Sequence, residues 1–236
     1  MTSNTLIFGF FLYSFIVYII KKILYPCDSH PDKYQITRWE TGHECALALS
    51  PDYWWAYRFK CKIKSKFKDN KMETLKLYVT KNNKVNLFFS VFLATICFVF
   101  YKLNPESFLS HTLCAVSVIR LFSRGYEISF AFACDIFQKN KSATGLTKHE
   151  RIRLAFFSYL EIFIFSAAAY TSLPTITSVS QAIMLSLNVG TLTNVGYAFS
   201  GLKTPLEMHI IFVQVIASQS LVILTLAGYL SRDNKS

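Results

Sequence analysis

The stretch LIFGFFLYSFIVYIIKKILY, residues 6–25, is an apolar run long enough to cross a membrane as a helix. Three more runs of this kind follow, at about 86–102, 152–173 and 208–230. Over the 236-residue chain, hydrophobic residues make up 52% and charged residues only 17%, whereas roughly 25% charged is typical of a soluble globular domain. The sequence therefore predicts an all-α integral membrane protein, and it excludes a single soluble α/β or all-β domain.

The distribution of Lys and Arg predicts how the chain crosses the membrane, because basic residues near the ends of spans resist translocation. Residues 26–85 hold twelve of them, residues 139–153 hold five and the tail after residue 230 holds two. These regions are expected in the cytoplasm, so that a protein of the cell membrane has its N-terminus outside and its C-terminus inside. Lys21 and Lys22 lie at the C-terminal end of the first apolar run, and no basic residue precedes it, which indicates an uncleaved anchor rather than a signal peptide.

Residues 105–138 must supply a further crossing if both basic regions lie on one side, which brings the expected total to about five spans. This stretch carries Arg120, Arg124, Glu127 and Asp135, which are costly at mid-bilayer unless they pair or reach the interface. Arg124 and Glu127 are three positions apart and can pair on one helical face. We favour a tilted helix with its charges near the cytoplasmic interface, because two basic residues four apart lack the three-residue repeat of a voltage-sensing helix.

Residues 174–207 join the last two runs and are largely apolar, which is unusual for an outer loop. Ser178 or Ser180 can cap a short helix that ends near Asn188 or Val189, and the following GTLTNVGYA, residues 190–198, predicts extended backbone. A half-length helix followed by irregular backbone is tolerated at membrane depth only where protein or a water-filled cavity surrounds it. The pattern predicts a re-entrant loop, whose natural use is a pore.

The order of span, short helix, TLTNVGYAF (residues 191–199) and final span resembles the pore domain of tetrameric potassium channels, whose usual signature is T-x-T-T-V-G-Y-G-D. The resemblance covers about residues 152–232, and Asn194, Ala198 and Phe199 depart from the signature. It implies a homotetramer in which backbone oxygens replace the hydration shell of a monovalent cation, potassium among them. By this resemblance the selectivity filter consists of Thr193, Asn194, Val195, Gly196, Tyr197 and Ala198.

The last apolar run carries a helical stripe whose polar members are Gln214, Ser218 and Thr225. Such a stripe faces either a water-filled axis or neighbouring helices, and both interpretations stay open. On the first interpretation these three residues line the pore. Glu161, in the middle of the preceding run, has no evident partner in the sequence and is expected to face protein or water. A structural hydrogen bond is favoured there over a gating role.

Between the first two runs, basic and mostly apolar residues alternate over 58–68, a period of two that predicts a β-strand with one cationic face. Asp69 and Asn70 then form a turn, and residues 74–80 return as the second strand of a small hairpin. The cationic row needs an anion nearby, and the inner leaflet is the closest one. A trigger protein or ligand is the next candidate partner, and nucleic acid is favoured least. This expected membrane- or partner-binding face consists of Arg58, Lys60, Lys62, Lys64, Lys66 and Lys68.

The six cysteines show neither a CxxC pair nor the spacing of a secreted domain, so no disulfide framework is expected. Cys27, His30, His43 and Cys45 are residue types that bind zinc, but we favour unrelated reduced side chains, and no cofactor is expected. The chain has no P-loop, GxGxxG, HExxH or GxSxG motif, so it is not expected to be an enzyme.

The sequence divides into an N-terminal anchor (1–25), a basic cytoplasmic segment (26–85), a transmembrane hairpin with a charged second helix (86–138), a cytoplasmic linker (139–151) and a pore domain (152–236). We expect a tetrameric channel for monovalent cations that residues 26–85 gate. Because a weakly selective pore collapses the membrane potential, a depolarising effector of bacterial defence is one hypothesis for its role. The alternative is a non-conducting membrane scaffold whose basic segment recruits a partner protein or nucleic acid.

Overall fold

The computed structural model describes residues 3–25, 46–67, 70–137, 145–173, 175–200, 202 and 204–224, and this part of the chain is helical without strands. In chain order the helices are α1 (Ser3–Leu24), α2 (Ala46–Leu49), α3 (Pro51–Lys66), α4 (Lys71–Leu103), α5 (Phe108–Phe137), α6 (Lys148–Tyr170), α7 (Val179–Gly190), α8 (Val195–Phe199) and α9 (Pro205–Gln219). A π-helical turn, Ser220–Leu224, continues α9. The predicted all-α class is confirmed.

Four helices are long and apolar enough to cross a membrane, over Asn4–Leu24, Lys71–Leu103, His149–Tyr170 and Pro205–Ile223. They correspond to the four apolar runs of the sequence, as predicted. The 30-residue α5 is not among the four, and it carries Arg120, Arg124 and Glu127. It packs against α1, α4, α6 and α9, so that the side chains of Arg120, Arg124 and Glu127 face the interior of the bundle.

The β-hairpin predicted from the alternating sequence is wrong, because residues 58–66 belong to α3 and residues 74–80 to α4. Ser50 begins α3 as its N-cap, accepting a hydrogen bond from the Tyr53 amide, and Pro51 occupies the first helical turn. Phe59 and Ile63 are buried against side chains of α1 and α4. This tertiary burial outweighs the local period of two, since strand preference depends strongly on context. Lys68 lies outside the described residues.

Helix α3 runs beside α1 in the same direction and starts about halfway along it. Asp52, in the first turn of α3, accepts a hydrogen bond from the hydroxyl of Tyr13. Tyr13 is midway along the candidate span Asn4–Leu24. Further along, the ring of Phe59 lies 5.7 Å from that of Tyr25, measured between centroids. The beginning of α3 is therefore level with the middle of the first span, and its basic end is level with the end of that span.

Candidate functional site

Helix α7 has 12 residues and lies between α6 and α9. The side chain of Ser178 caps it by accepting a hydrogen bond from the Gln181 amide, so the predicted short helix is confirmed. Twelve helical residues extend about 18 Å, which is too short to cross about 30 Å of hydrocarbon. Any path of this segment through a membrane must therefore include the non-helical residues after it.

The buried side chain of Gln214 on α9 forms hydrogen bonds with both α7 and α6. Its Nε2 donates to the Ser186 carbonyl oxygen at 2.9 Å and to the Ser186 hydroxyl at 3.2 Å. Its Oε1 accepts from the hydroxyl of Tyr170 on α6. The Ser186 hydroxyl in turn donates to the Phe163 carbonyl oxygen at 2.8 Å. Because Gln214 is fully buried, water does not compete for these bonds, and they fix the position of α7.

The end of α7 reaches the middle of the neighbouring span. The Tyr159 hydroxyl donates to the Gly190 carbonyl oxygen at 3.0 Å, and Tyr159 lies midway along the candidate span His149–Tyr170. Helix α9 starts at Pro205, about 14 Å before Gln214 along the helix axis.

Gly190 lies in close contact with side chains of both α6 and α9. A Cβ atom added there would lie 2.3 Å from Cε1 of Phe163 and 2.9 Å from Nε2 of Gln214. Neither neighbour has an easy way to move, since one is a ring packed in the helix contact and the other is held by three hydrogen bonds. The absence of a side chain at Gly190 therefore allows the observed position of α7.

We expect Gly190→Ala to lower the free energy of unfolding by about 1–3 kcal/mol, the usual cost of overpacking a core. Unfolding of the purified protein in detergent measures this change. Gly196→Ala is the matched control, because no atom lies within 4 Å of a Cβ added at Gly196. Equal losses of stability in the two variants would contradict the close packing assigned to Gly190.

The residues after α7 form an exposed turn rich in oxygen atoms. The hydroxyls of Thr191 and Thr193 lie 3.0 Å apart, and Leu192 between them has a φ of 60°, in the left-handed region. That conformation costs about 1–2 kcal/mol for a residue with a side chain. Exposed residues of the predicted filter in this turn and in α8 are Thr193, Asn194, Gly196 and Tyr197.

The extended backbone predicted for residues 190–198 is wrong at its second half, because Val195–Phe199 forms the helical turn α8. The Tyr197 carbonyl oxygen accepts from the Ser200 amide at 3.1 Å instead of pointing to one side of a strand. Ala198 is buried against the hydrophobic core. Within a single chain, the local hydrogen bonds of a helical turn satisfy backbone groups that have no other partner.

The residues predicted to line a pore have a different place. Gln214 and Ser218 are fully buried within the chain, so their stripe faces neighbouring helices, the second of the two interpretations above. Thr225 lies outside the described residues. The exposed stripe of this helix recurs at the same i, i+4, i+7 and i+11 spacing and is mostly apolar: Phe212, Ile216, Gln219 and Ile223.

Six charged side chains are buried together where α1, α3, α5 and α6 meet, and we call them the ion-pair network. Each is no more than 6% exposed. In their usual ionisation states the three cations and three anions balance, which is the condition under which buried charges are tolerated. The cations are Lys21, Arg120 and Arg124, and the anions are Asp52, Glu127 and Glu161.

Glu161 of α6 is the centre of the ion-pair network. Its Oε1 lies 2.8 Å from Arg120 and 3.0 Å from Nε of Arg124, and its Oε2 lies 3.0 Å from Nη2 of Arg124. The favoured role of Glu161, a structural hydrogen bond, is therefore confirmed, and its partners, which were not evident in the sequence, are Arg120 and Arg124. Arg124 also pairs with Glu127, which confirms the predicted pair. Glu127 lies 3.9 Å from Nζ of Lys21 on α1.

The charges of α5 thus pair with other charges inside the bundle. The sequence had suggested instead that they lie near the cytoplasmic interface. Asp52 brings α3 into the same network, because its Oδ2 accepts from Tyr13 and, at 2.6 Å, from Ser123 of α5. The Tyr13 hydroxyl accepts from Arg120 at 3.1 Å. A continuous chain of hydrogen bonds therefore joins α3, α1, α5 and α6, the helix that holds α7.

The basic residues predicted as a binding face are divided between two sides of α3. Lys62, Lys64 and Lys66 are exposed and Lys60 is half-buried. Arg58 stacks on Trp54, with its guanidinium carbon 3.8 Å from the ring centroid. The four residues weighed as zinc ligands, Cys27, His30, His43 and Cys45, lie outside the described residues. The described part of the chain contains no group of three or more residues able to hold a metal ion.

Four apolar helices of spanning length, together with a buried ion-pair network, fit a multi-pass helical membrane protein. Comparison of the chain with protein-family models, with curated proteins and with solved structures finds no match. Its function is therefore argued from its own residues.

Proposed function

We propose that this protein is a pore-loop channel that conducts monovalent cations as a homotetramer. The observation that carries the proposal is the position of α7, a 12-residue helix that reaches the middle of the adjacent span and ends in an exposed turn of hydroxyl and amide groups. In a membrane this segment is re-entrant. Backbone at that depth needs protein or water around it, and lipid supplies neither.

The electrostatics at the end of α7 favour a cation. The C-terminal end of a helix carries about half a negative charge, from carbonyl groups without helical partners. The hydroxyls of Thr191 and Thr193 and the side chain of Asn194 add oxygen atoms at the same place. Such oxygens are the ligands that replace water around a monovalent cation in a selectivity filter. The low dielectric of the surrounding span strengthens their attraction for the ion.

Assembly completes the path in this proposal, because one copy of the loop cannot surround an ion. Four copies of residues 193–198 meet around an axis, and residues 195–198 exchange their helical turn for an extended conformation. Gly196 permits the unusual φ that such a strand needs. The exposed stripe Phe212, Ile216, Gln219 and Ile223 then faces the inner half of the path. Its apolar members act as a constriction that closes by losing water.

In this proposal, the ion-pair network connects α3 through α6 to the pore helix α7. Asp52 and Glu161 are joined through Tyr13 and Arg120, so a displacement of α3 changes the partners of a carboxylate on α6. In the proposal, the segment containing α3 is the gate or sensor of the channel.

Single-channel recording of the purified protein in planar bilayers tests the proposal. We expect unitary cation currents that a positively charged thiol reagent blocks in Thr193→Cys, because the modified side chain lies in the ion path. Thr175→Cys is the matched control, since Thr175 is also exposed but precedes α7. The reagent should leave the currents of the wild type and of this control unchanged.

A well-folded oligomer that carries no current would contradict the proposal and favour the non-conducting scaffold. Equal block of Thr193→Cys and Thr175→Cys would retain a pore but exclude the loop after α7 as its narrowest part.

A further inference from the structure

Two free cysteines, Cys97 of α4 and Cys114 of α5, are buried next to each other, and we call them the thiol pair. Both sulfur atoms contact the hydroxyl oxygen of Thr171 at the end of α6, at 3.6 Å for Cys97 and 3.5 Å for Cys114. The two thiols also interact directly with each other. They are 17 positions apart in the sequence, a spacing that by itself predicts no contact.

The register of α4 against α5 brings the thiol pair together. Helix α4 ends at Leu103 and α5 begins at Phe108, so each cysteine lies six residues from the end of its helix that borders the connecting turn. Two antiparallel helices joined by a short turn place such positions at the same level. The hydrogen bond from Arg120 to Ser90 follows the same register further along the two helices. The contact between the thiols is therefore a property of the backbone arrangement as well as of the side chains.

The side chains around the thiol pair are apolar. Ala94 and Ala168 are buried in the same cluster, and Phe98 and Ile164 pack against it. None of these four side chains carries a nucleophile. If one sulfur of the thiol pair is oxidised, the second thiol is therefore the group in contact with it that can react.

We propose that Cys97 and Cys114 are a site of reversible oxidation, at which hydrogen peroxide converts the two thiols into a disulfide between α4 and α5. One thiol, as its thiolate, takes an oxygen atom from the peroxide and becomes a sulfenic acid, and hydroxide leaves. The second thiol attacks the sulfenic sulfur, the S–S bond forms and water leaves. In total, two thiols and one peroxide give one disulfide and two water molecules, and two electrons pass from sulfur to oxygen.

The burial of the thiol pair favours a small oxidant. Cys97 is 1% exposed and Cys114 is 7% exposed, so the active site of an oxidising protein cannot reach either sulfur. Hydrogen peroxide is uncharged and little larger than water, so local opening of the helix contact admits it. The second step is intramolecular, and groups held in contact react much faster than free ones. The disulfide therefore forms before a second peroxide converts the sulfenic acid to a sulfinic acid. This inference does not depend on ion conduction, so the thiol pair and the pore can fail separately.

Mass spectrometry of the full chain in detergent, after treatment with hydrogen peroxide and alkylation of the remaining thiols, tests the proposal. We expect a digest of the wild type without reductant to contain a peptide in which Cys97 and Cys114 are cross-linked. Dithiothreitol should remove this cross-link, because disulfides exchange with thiolates. A variant that keeps only the thiol pair should lose both alkylatable thiols on oxidation and still migrate as a single chain on a denaturing gel without reductant. This variant is Cys27→Ser/Cys45→Ser/Cys61→Ser/Cys134→Ser.

The matched control keeps Cys61 and Cys114 instead, in Cys27→Ser/Cys45→Ser/Cys97→Ser/Cys134→Ser. Helices α3 and α5 both run in the direction of α1. Because Ser123 of α5 bonds to Asp52 of α3, Cys61 and Cys114 lie about 27 Å apart along the helix axes. The control should therefore form no cross-link within one chain.

Two results would overturn the site. In the first, Cys97 and Cys114 of the wild type stay alkylatable after peroxide treatment, or become sulfinic acids without a cross-link. In the second, the thiol-pair variant and the control form a cross-link within one chain to the same extent, because the contact between Cys97 and Cys114 would then not direct the reaction.

Discussion

Glu161→Gln is expected to lower the free energy of unfolding by about 3–5 kcal/mol, the cost of leaving a buried charge without its partner. Arg120 and Arg124 both lie within 3.0 Å of this carboxylate and are almost completely buried. Denaturant unfolding of the purified protein in mixed micelles measures the loss. The control is Glu106→Gln, whose carboxylate is 91% exposed, and it should change stability by no more than about 0.5 kcal/mol.

A second variant separates lost charge balance from lost packing. Arg120→Gln/Glu161→Gln removes one cation and one anion of the ion-pair network, which restores the balance of charge. Residues in contact usually couple by about 0.5–3 kcal/mol, so the double variant should be more stable than the sum of the single losses predicts. Strictly additive losses would show that the buried ion pair does not stabilise the bundle in the way described.

Asp52→Ala is expected to detach α3 from the bundle, with a loss of about 3 kcal/mol. Tyr13 and Ser123 lose the carboxylate that accepts their hydrogen bonds, and the ion-pair network keeps an excess positive charge. The basic residues of α3 are cleavage sites for trypsin, so cleavage within residues 58–66 should become faster in the variant. Timed proteolysis in detergent, followed by mass spectrometry of the fragments, measures the rate.

Glu73→Ala is the matched control for Asp52→Ala, because Glu73 is an exposed carboxylate in the first turn of the next long helix. Its cleavage rate should equal that of the wild type. Asp52→Asn keeps an oxygen acceptor but loses the charge, so an intermediate rate is expected. Cleavage of Asp52→Ala at the wild-type rate would mean that Asp52 does not hold α3 in place.

The spans and α7 could be predicted from the sequence because their signals are local. An apolar run of about 20 residues is sufficient to indicate a membrane helix, whatever its neighbours are. Ser178 is likewise a helix-start signal that acts within one turn. The four candidate spans and the beginning of α7 were therefore found, and the position of α7 against Gln214 was not.

The region of α3 shows how a local pattern misleads. Basic and apolar residues alternate over 58–68, and a strand gives each type its own face. A start signal for a helix was nevertheless present, since Ser50 precedes Pro51 and Asp52. The packing of Phe59 and Ile63 against two other helices decides the conformation, and no property of the segment by itself reveals those helices.

The ion-pair network was found only in part for the same reason. Arg124 and Glu127 are close in sequence, so their pairing could be predicted. Glu161 is separated from Arg120 by 41 positions, and its partners depend on which helices become neighbours. Opposite charges in separate apolar runs were the available signal, because such charges are costly in lipid unless they meet.

A density map of the protein in lipid nanodiscs, by electron cryo-microscopy, tests the central claim most directly. We predict four copies around one axis, with residues 193–197 of each copy facing that axis and cation density between them. Copies that assemble through other surfaces, with the turn after α7 facing lipid and no shared axis at these residues, would contradict the claim that this chain forms a pore.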